Sequence, residues 1–213
     1  MLLKLGGGAG GSIEISNAPK ISFNGRWLGW HLEFYSGILY WECWIFSSGV
    51  LTLQEAYTLD AWGIGGGGAL TRSDKNNGRG AAGTPNMAET LACEAGTIAV
   101  TIGAGGKATS SSGTYGGVNG GATSLGTLLN CAGGNYSMGS QIDAAKRNRF
   151  YDQTKDEHGR NGKSGNGWLD FAPSTNSGYV EEPGHGLGAG ALTVETDGAR
   201  GAQGVLVIRI PVE

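Results

Sequence analysis

Charge is scarce in this chain. Only 15% of its 213 residues are Asp, Glu, Lys or Arg, against about 25% in an ordinary soluble domain. The formal net charge is −3, and the one basic cluster, Lys146, Arg147 and Arg149, reads as a solvated face. Phosphate backbones are bound by clustered basic surface, so no nucleic-acid partner is expected. Long apolar runs are missing as well. No stretch approaches the ~18 consecutive apolar residues of a membrane span, so membrane insertion is not expected. The apolar opening at 1–5 is too short for a signal-peptide core and runs into glycine; the expectation is a protein without a Sec leader, made in a reducing cytosol. Cysteine is sparse and odd in number: Cys43, Cys93 and Cys131. Their spacing excludes a disulfide framework and a CxxC zinc pair. Each sits in an apolar, strand-like context, which predicts buried free thiols.

What the chain does have is aromatic rings and glycine. Six tryptophans and seven tyrosines, combined with low charge, argue against a disordered chain. Glycine takes 42 of the 213 positions, against a background of about 7%. It comes in clusters: GGGAGG at 6–11, GIGGGG at 63–68, GAGG at 103–106, pairs at 116–117, 120–121 and 133–134, and PGHGLGAG at 183–190. These clusters follow segments that read as β-strands.

The pattern divides into an N-terminal arm at 1–20 and a glycine-rich β domain at 21–213. Within the domain, 21–65 reads as a Trp-rich antiparallel meander, because apolar alternation at 21–23, 27–35, 38–46, 50–53 and 58–64 is broken by turn residues at about ten-residue spacing. Trp27, Trp30, Trp41, Trp44 and Trp62 all lie there. Two readings of these rings stand side by side: core packing of a sheet short of aliphatic mass, or an exposed cluster for sugar stacking or subunit contact. Across 66–213, glycine runs alternate with exposed loops. Residues 87–93 and 97–102, around the turn at 94–96, predict a hairpin. Segments 122–126 and 127–131 read as further strands, 140–157 as the start of a short helix capped by Ser140, and 204–211 as a buried strand. The fold class expected is all-β, an antiparallel meander or sandwich with glycine-rich extended segments.

Three physical readings compete for the glycine runs. Linkers are the compositional default, but linkers do not recur after strands with Ile, Val or Leu before them. Collagen needs a Gly-X-Y register that does not persist here. The third reading is a bundle of extended helices with three residues per turn, the polyglycine form of the polyproline II conformation. Such helices have no internal hydrogen bonds, so their N–H and C=O groups must pair with neighbouring segments, and Cα–H···O contacts become available. Ordering glycine carries a large backbone-entropy cost, so the bundle needs a β platform to align it.

Five motifs in order, FSSGVLTL at 46–53, DAWGIGGGG at 60–68, TIAVTIGAGG at 97–106, GATSLG at 121–126 and GVLVIRI at 204–210, resemble the glycine-rich domain of phage tail proteins. The likeness spans about 38–211. Leu125 stands where the family pattern prefers Phe, and 135–183 is poorer in glycine and carries a charged insertion. The resemblance implies a virion protein: a tail-fibre tip or receptor-binding module, a homotrimer or other homo-oligomer, similar to the polyglycine-helix adhesins of T-even-type long tail fibres. Its partners would be further virion proteins, held through residues 1–20, and a host cell-surface glycan or protein. A capsid decoration or head-fibre protein is the first alternative, and a surface-polysaccharide-cleaving enzyme the second.

Chemical motifs are thin. GGGAGG formally matches G-x-G-x-x-G, but no helix or βαβ unit follows it. Gly162, Lys163 and Ser164 resemble the end of a P-loop, yet the position of the first glycine is Glu157. His31, His158 and His185 share no ligand spacing, and His31 reads as a packed or interface residue. Asp152, Asp156, Glu157 and His158 read as an exposed acidic patch rather than a calcium loop. Asp60, Glu89, Asp170, Glu181 and Glu182 are the carboxylates available for glycoside hydrolysis, and no spacing selects a pair. No catalytic residue, cofactor or metal is therefore expected. Recognition is placed on loops over a rigid scaffold, at 71–86, 107–119 and 158–186. The candidate binding residues are Tyr115, Asn119, Trp168, Phe171 and Tyr179, aromatics among Asn, Ser and Gly. Loop aromatics also serve simply as anchors to the body, and both readings are open.

Overall fold

The computed structural model describes residues 18–35, 37–69, 83–107, 118–135 and 201–212. They form ten strands: β1 (Ile21–Phe23), β2 (Trp27–Tyr35), β3 (Ile38–Ile45), β4 (Gly49–Leu53), β5 (Tyr57–Ile64), β6 (Pro85–Cys93), β7 (Gly96–Thr101), β8 (Thr123–Leu125), β9 (Leu129–Cys131) and β10 (Val205–Pro211). Two five-stranded antiparallel sheets result, in the orders β1-β4-β7-β8-β9 and β2-β3-β10-β5-β6. The all-β expectation holds, in its sandwich form.

The meander does not. Among the described strands, only β2–β3, β5–β6, β7–β8 and β8–β9 are successive strands that pair; the other successive strands lie in different sheets. The hairpin expected around 94–96 is likewise absent: β6 pairs with β5, while β7 pairs with β4 in the other sheet. The turn is real, with Gly96 at φ 145°, but it is a corner rather than a hairpin loop. Turn residues stop a strand without choosing its partner. That choice depends on which face each strand must bury.

The main core lies between the sheets. Leu51, Leu53, Val100, Leu125 and Leu129 come from one sheet, and Ile45, Leu59, Ala61, Leu206 and Ile208 from the other. Each large aliphatic chain buried there contributes about 1.5–3 kcal/mol relative to exposure. Strand β10 is central, flanked by β3 and β5, and buried from Val205 to Ile210. Both of its faces are covered, so it shows a continuous apolar run instead of alternation. Leu206, Ile208 and Ile210 join the main core; Val205 and Val207 join Trp44, Trp62 and Ile64 in a second cluster. Core packing accounts for Trp44 and Trp62, while Trp27, Trp30 and Trp41 are partly buried against the main core.

Edge strand β6 is interrupted where its register with β5 shifts between Leu59 and Ala61. Thr90 adopts φ 57° there, and its N–H donates to Asp60 Oδ1 at 2.7 Å. Asp60, one of the carboxylates considered for glycoside hydrolysis, is thus engaged in holding a bulge.

All three cysteines are free and buried. Burial pushes the Cys131 thiol up to about 12. Burial first, then the adjacent Glu42 carboxylate, raises Cys43 well above the usual thiol range, and burial also raises Cys93. A thiol reagent acts on the thiolate, so at pH 8 the folded protein will release almost no signal with a disulfide reagent. Cys93, at the rim of a cavity, will react first and slowly, and all three will react at once in guanidinium. Rapid titration of Cys43 or Cys131 in the native state would contradict this packing.

Candidate functional site

Strands β5, β7 and β9 each end in a glycine segment, and β6, β8 and β10 each begin after one. Register puts all six ends together. Ile64 pairs with both Pro85 and Val205, Thr123 pairs with Cys131, and Thr101 pairs with Ser124. The two sheets meet at that end, where Asn86 Nδ2 of β6 donates to Asn130 O of β9 at 3.0 Å, and Gly103 N–H donates to Thr123 Oγ1 at 3.0 Å. Segments 65–69, 103–106 and 132–135 therefore leave the sandwich beside 83–84, 118–121 and 201–204, which return to it.

Segment 65–69 is the hub, buried along its whole length. Gly66 N–H donates to Gly121 O at 2.9 Å, Gly67 N–H to Ala202 O at 2.9 Å, and Ala69 N–H to Val118 O at 3.1 Å. The hub carbonyls of Gly66 and Gly67 accept from Gly134 and Gly106, each at 2.8 Å, and Gly65 N–H points to Thr84 O at 3.5 Å. The surrounding segments bond to one another through Thr84–Ala132, Gly120–Gly134, Gly121–Ala104 and Gly201–Gly106. Contacts repeat every three residues. Gly66 and Ala69 reach Gly121 and Val118 on a returning segment; Gly65 and Gly68 face Ala132 and Asn135 on an outgoing one.

Side chains have no place between these backbones. A Cβ on Gly66 would lie 2.2 Å from Ala104 O, and one on Gly105 would lie 1.8 Å from Gly201 O. The described glycines with positive φ, Gly37, Gly96 and Gly126, all lie outside the bundle. Close approach, not left-handed backbone, is what excludes side chains here.

The described chain breaks off after Ala69, Lys107 and Asn135 and resumes at Gly83, Val118 and Gly201, all at this end. Of the expected loop 71–86, Pro85 and Asn86 belong to β6, and the expected loop 158–186 lies outside the described residues. Asn119 is exposed on the returning segment 118–121. Tyr115, Trp168, Phe171 and Tyr179 lie outside the described residues, as do the helix expected at 140–157, the acidic patch at 152–158 and arm residues 1–17.

The opposite end of the sandwich has a different character. Strands β5 and β10 run the length of the body, about 25 Å at the usual rise per residue. At their far ends, Tyr57, Ile210 and Pro211 line a 690 Å³ cavity together with Lys20, Trp41 and Cys93. Residues 18–20 enter there, held by Lys20 N–H to Tyr57 Oη at 2.7 Å and by Lys20 Nζ to Glu55 at 3.0 Å.

On the outer face of the second sheet, structure joins polar residues that spacing did not connect. Glu42 on β3 is fully buried and accepts from Arg209 Nε of β10 and from Trp44 Nε1. The Arg209 guanidinium also stands 5.4 Å over the Tyr40 ring. His31 and Glu33 on β2 face the same Glu42, with His31 Nε2 at 3.5 Å from its Oε1. The signal was present in part: His31 and Glu33 are two apart on one strand and so share a face. Their meeting with Glu42 depends on the β2–β3 register, in which His31 stands opposite Glu42.

Compared with known proteins, the chain matches no family model. No curated protein matches it either.

Proposed function

We propose that the protein is a virion appendage of a phage or prophage, a tail-fibre tip or receptor-binding module that holds recognition loops on a polyglycine-II bundle. The observation that carries this reading is the hub at 65–69, bonded through backbone groups to all five surrounding glycine-rich segments. Its three-residue repeat is that of an extended, three-fold backbone helix. Such a bundle is held without side chains, through backbone donors and acceptors that pair between neighbouring segments. Segments 70–82, 108–117 and 136–200 attach to it at one end of the body, while residues 18–20 enter at the other. That polarity suits a body fixed at residues 1–20 to another virion protein and presenting 70–82, 108–117 and 136–200 to a host-surface glycan or protein. Assembly as a homotrimer or other homo-oligomer belongs to the same reading, and the exposed Leu28, Phe34 and Ile38 around edge strand β2 favour it.

The test uses antibody raised against the purified chain, gold-labelled on phage particles, with competition of adsorption by the free protein. Gold at tail ends and reduced adsorption are expected. A variant with 136–200 replaced by a short Gly-Ser linker should keep its thermal transition and no longer compete. Gold confined to capsids, or undiminished adsorption at saturating protein, would refute the tail-tip reading.

A further inference from the structure

We infer that His31, Glu33 and Glu42 form a binding site for a divalent first-row transition ion of the zinc class, linking edge strand β2 to β3. The ligand atoms of the three residues lie within 4.8 Å of one another. His31 Nδ1 is 3.1 Å from Gly29 O. A carbonyl only accepts, so Nδ1 carries the hydrogen, and the ring is oriented with Nε2 toward the two carboxylates. Metal-bound histidines are typically held this way, through the nitrogen that does not ligate.

The distances leave room for a shared cation. Nε2 stands 3.5 Å from Glu42 Oε1 and 3.7 Å from Glu33 Oε1, longer than an ordinary N–H···O bond. With metal–ligand bonds of about 2.1 Å, the edge of a tetrahedral site is about 3.4 Å. The two histidine–carboxylate separations are close to that edge, and all three donor atoms lie within 4.8 Å of one another.

The supports are in place on both strands. Arg209 holds Oε2 of Glu42 and Trp44 donates to Oε1, so the carboxylate is oriented. The two side chains of β2 are 30% and 44% exposed, which opens the site to solvent although Glu42 is buried. One nitrogen and two oxygens, with water completing the shell, suit zinc, nickel or cobalt. Calcium needs six to eight oxygens. Cys43 does not take part, because it points to the main core on the other face of β3. The ion would tie down β2 where its pairing with β3 is broken between Leu28 and His31.

The experiment uses the full chain, free of any affinity tag and stripped with chelator. Zinc should bind at one equivalent by calorimetry and raise the thermal midpoint; magnesium and calcium should do neither. Cobalt should give the intense visible absorption of a four- or five-coordinate centre. His31→Ala and Glu33→Gln are at partly exposed positions, and circular dichroism checks their folding. Each should weaken zinc binding by about 100-fold or more, above the loss expected from removing only an outer partner of a ligand, and His31→Ala should abolish the cobalt absorption. Absence of zinc binding to wild type, or equal zinc binding and cobalt absorption in His31→Ala, overturns the site.

Discussion

Gly66→Ala is expected to lower the folding stability by about 3 kcal/mol or more, the sum of overpacking and lost buried hydrogen bonds. The new methyl would sit 2.2 Å from Ala104 O and 2.6 Å from Ala104 C. Those atoms are backbone, so no side-chain rotation relieves the clash. Moving segment 103–106 away would strain the Gly121–Ala104 and Gly106–Gly67 bonds together, leaving buried amides without partners. Two controls grade the effect. Gly121→Ala meets its nearest atoms at 3.2 Å and should cost much less, while Gly29→Ala in β2 meets nothing within 4 Å. The last should be neutral or up to about 0.5 kcal/mol more stable, because alanine loses less backbone entropy on folding. Urea midpoints of the three variants test the order. If Gly66→Ala unfolds at the wild-type midpoint, the bundle is not a packed element.

Arg209→Met is expected to cost about 3–5 kcal/mol, because it leaves the buried Glu42 carboxylate without its cation. Arg209 and Glu42 are opposite each other in the β10–β3 register and are 2% and 0% exposed. The pair is weak evidence for stability in itself, since desolvation offsets much of its attraction. Its removal one side at a time is the costly event. Glu42→Gln removes the charge and keeps an acceptor for Trp44, so Glu42→Gln with Arg209→Met should be clearly more stable than Arg209→Met alone. Denaturant unfolding of both singles and the double closes the cycle. Strict additivity of the two losses would mean that the ion pair contributes no coupling.

Much of the local structure was legible. Alternation and turn residues located β2, β3, β4 and β5 within a residue or two, because a half-buried strand writes its period directly into the chain. The apolar run ending in Pro211 announced a strand covered on both faces, and the odd, apolar cysteines announced buried thiols. The candidate site was legible only as composition. Glycines after β5, β7 and β9 indicated extended backbone, but nothing local tells Gly67 that its partners are Ala202 and Gly106. His31 reads in the sequence as a packed or interface residue, and its meeting with Glu42 is written only in the bulged β2–β3 register.

By itself, then, the sequence determined where strands stop, which faces carry apolar side chains and where side chains are withheld altogether. Those properties arise from each residue's own shape and its near neighbours. Tertiary structure alone decided that β6 and β7 part into different sheets, that five glycine-rich segments converge on 65–69, and that Glu42 meets Arg209 and His31. These are pairings between backbones or charges far apart in the chain, settled by which arrangement buries both sheet faces while leaving the fewest hydrogen-bonding groups unpaired.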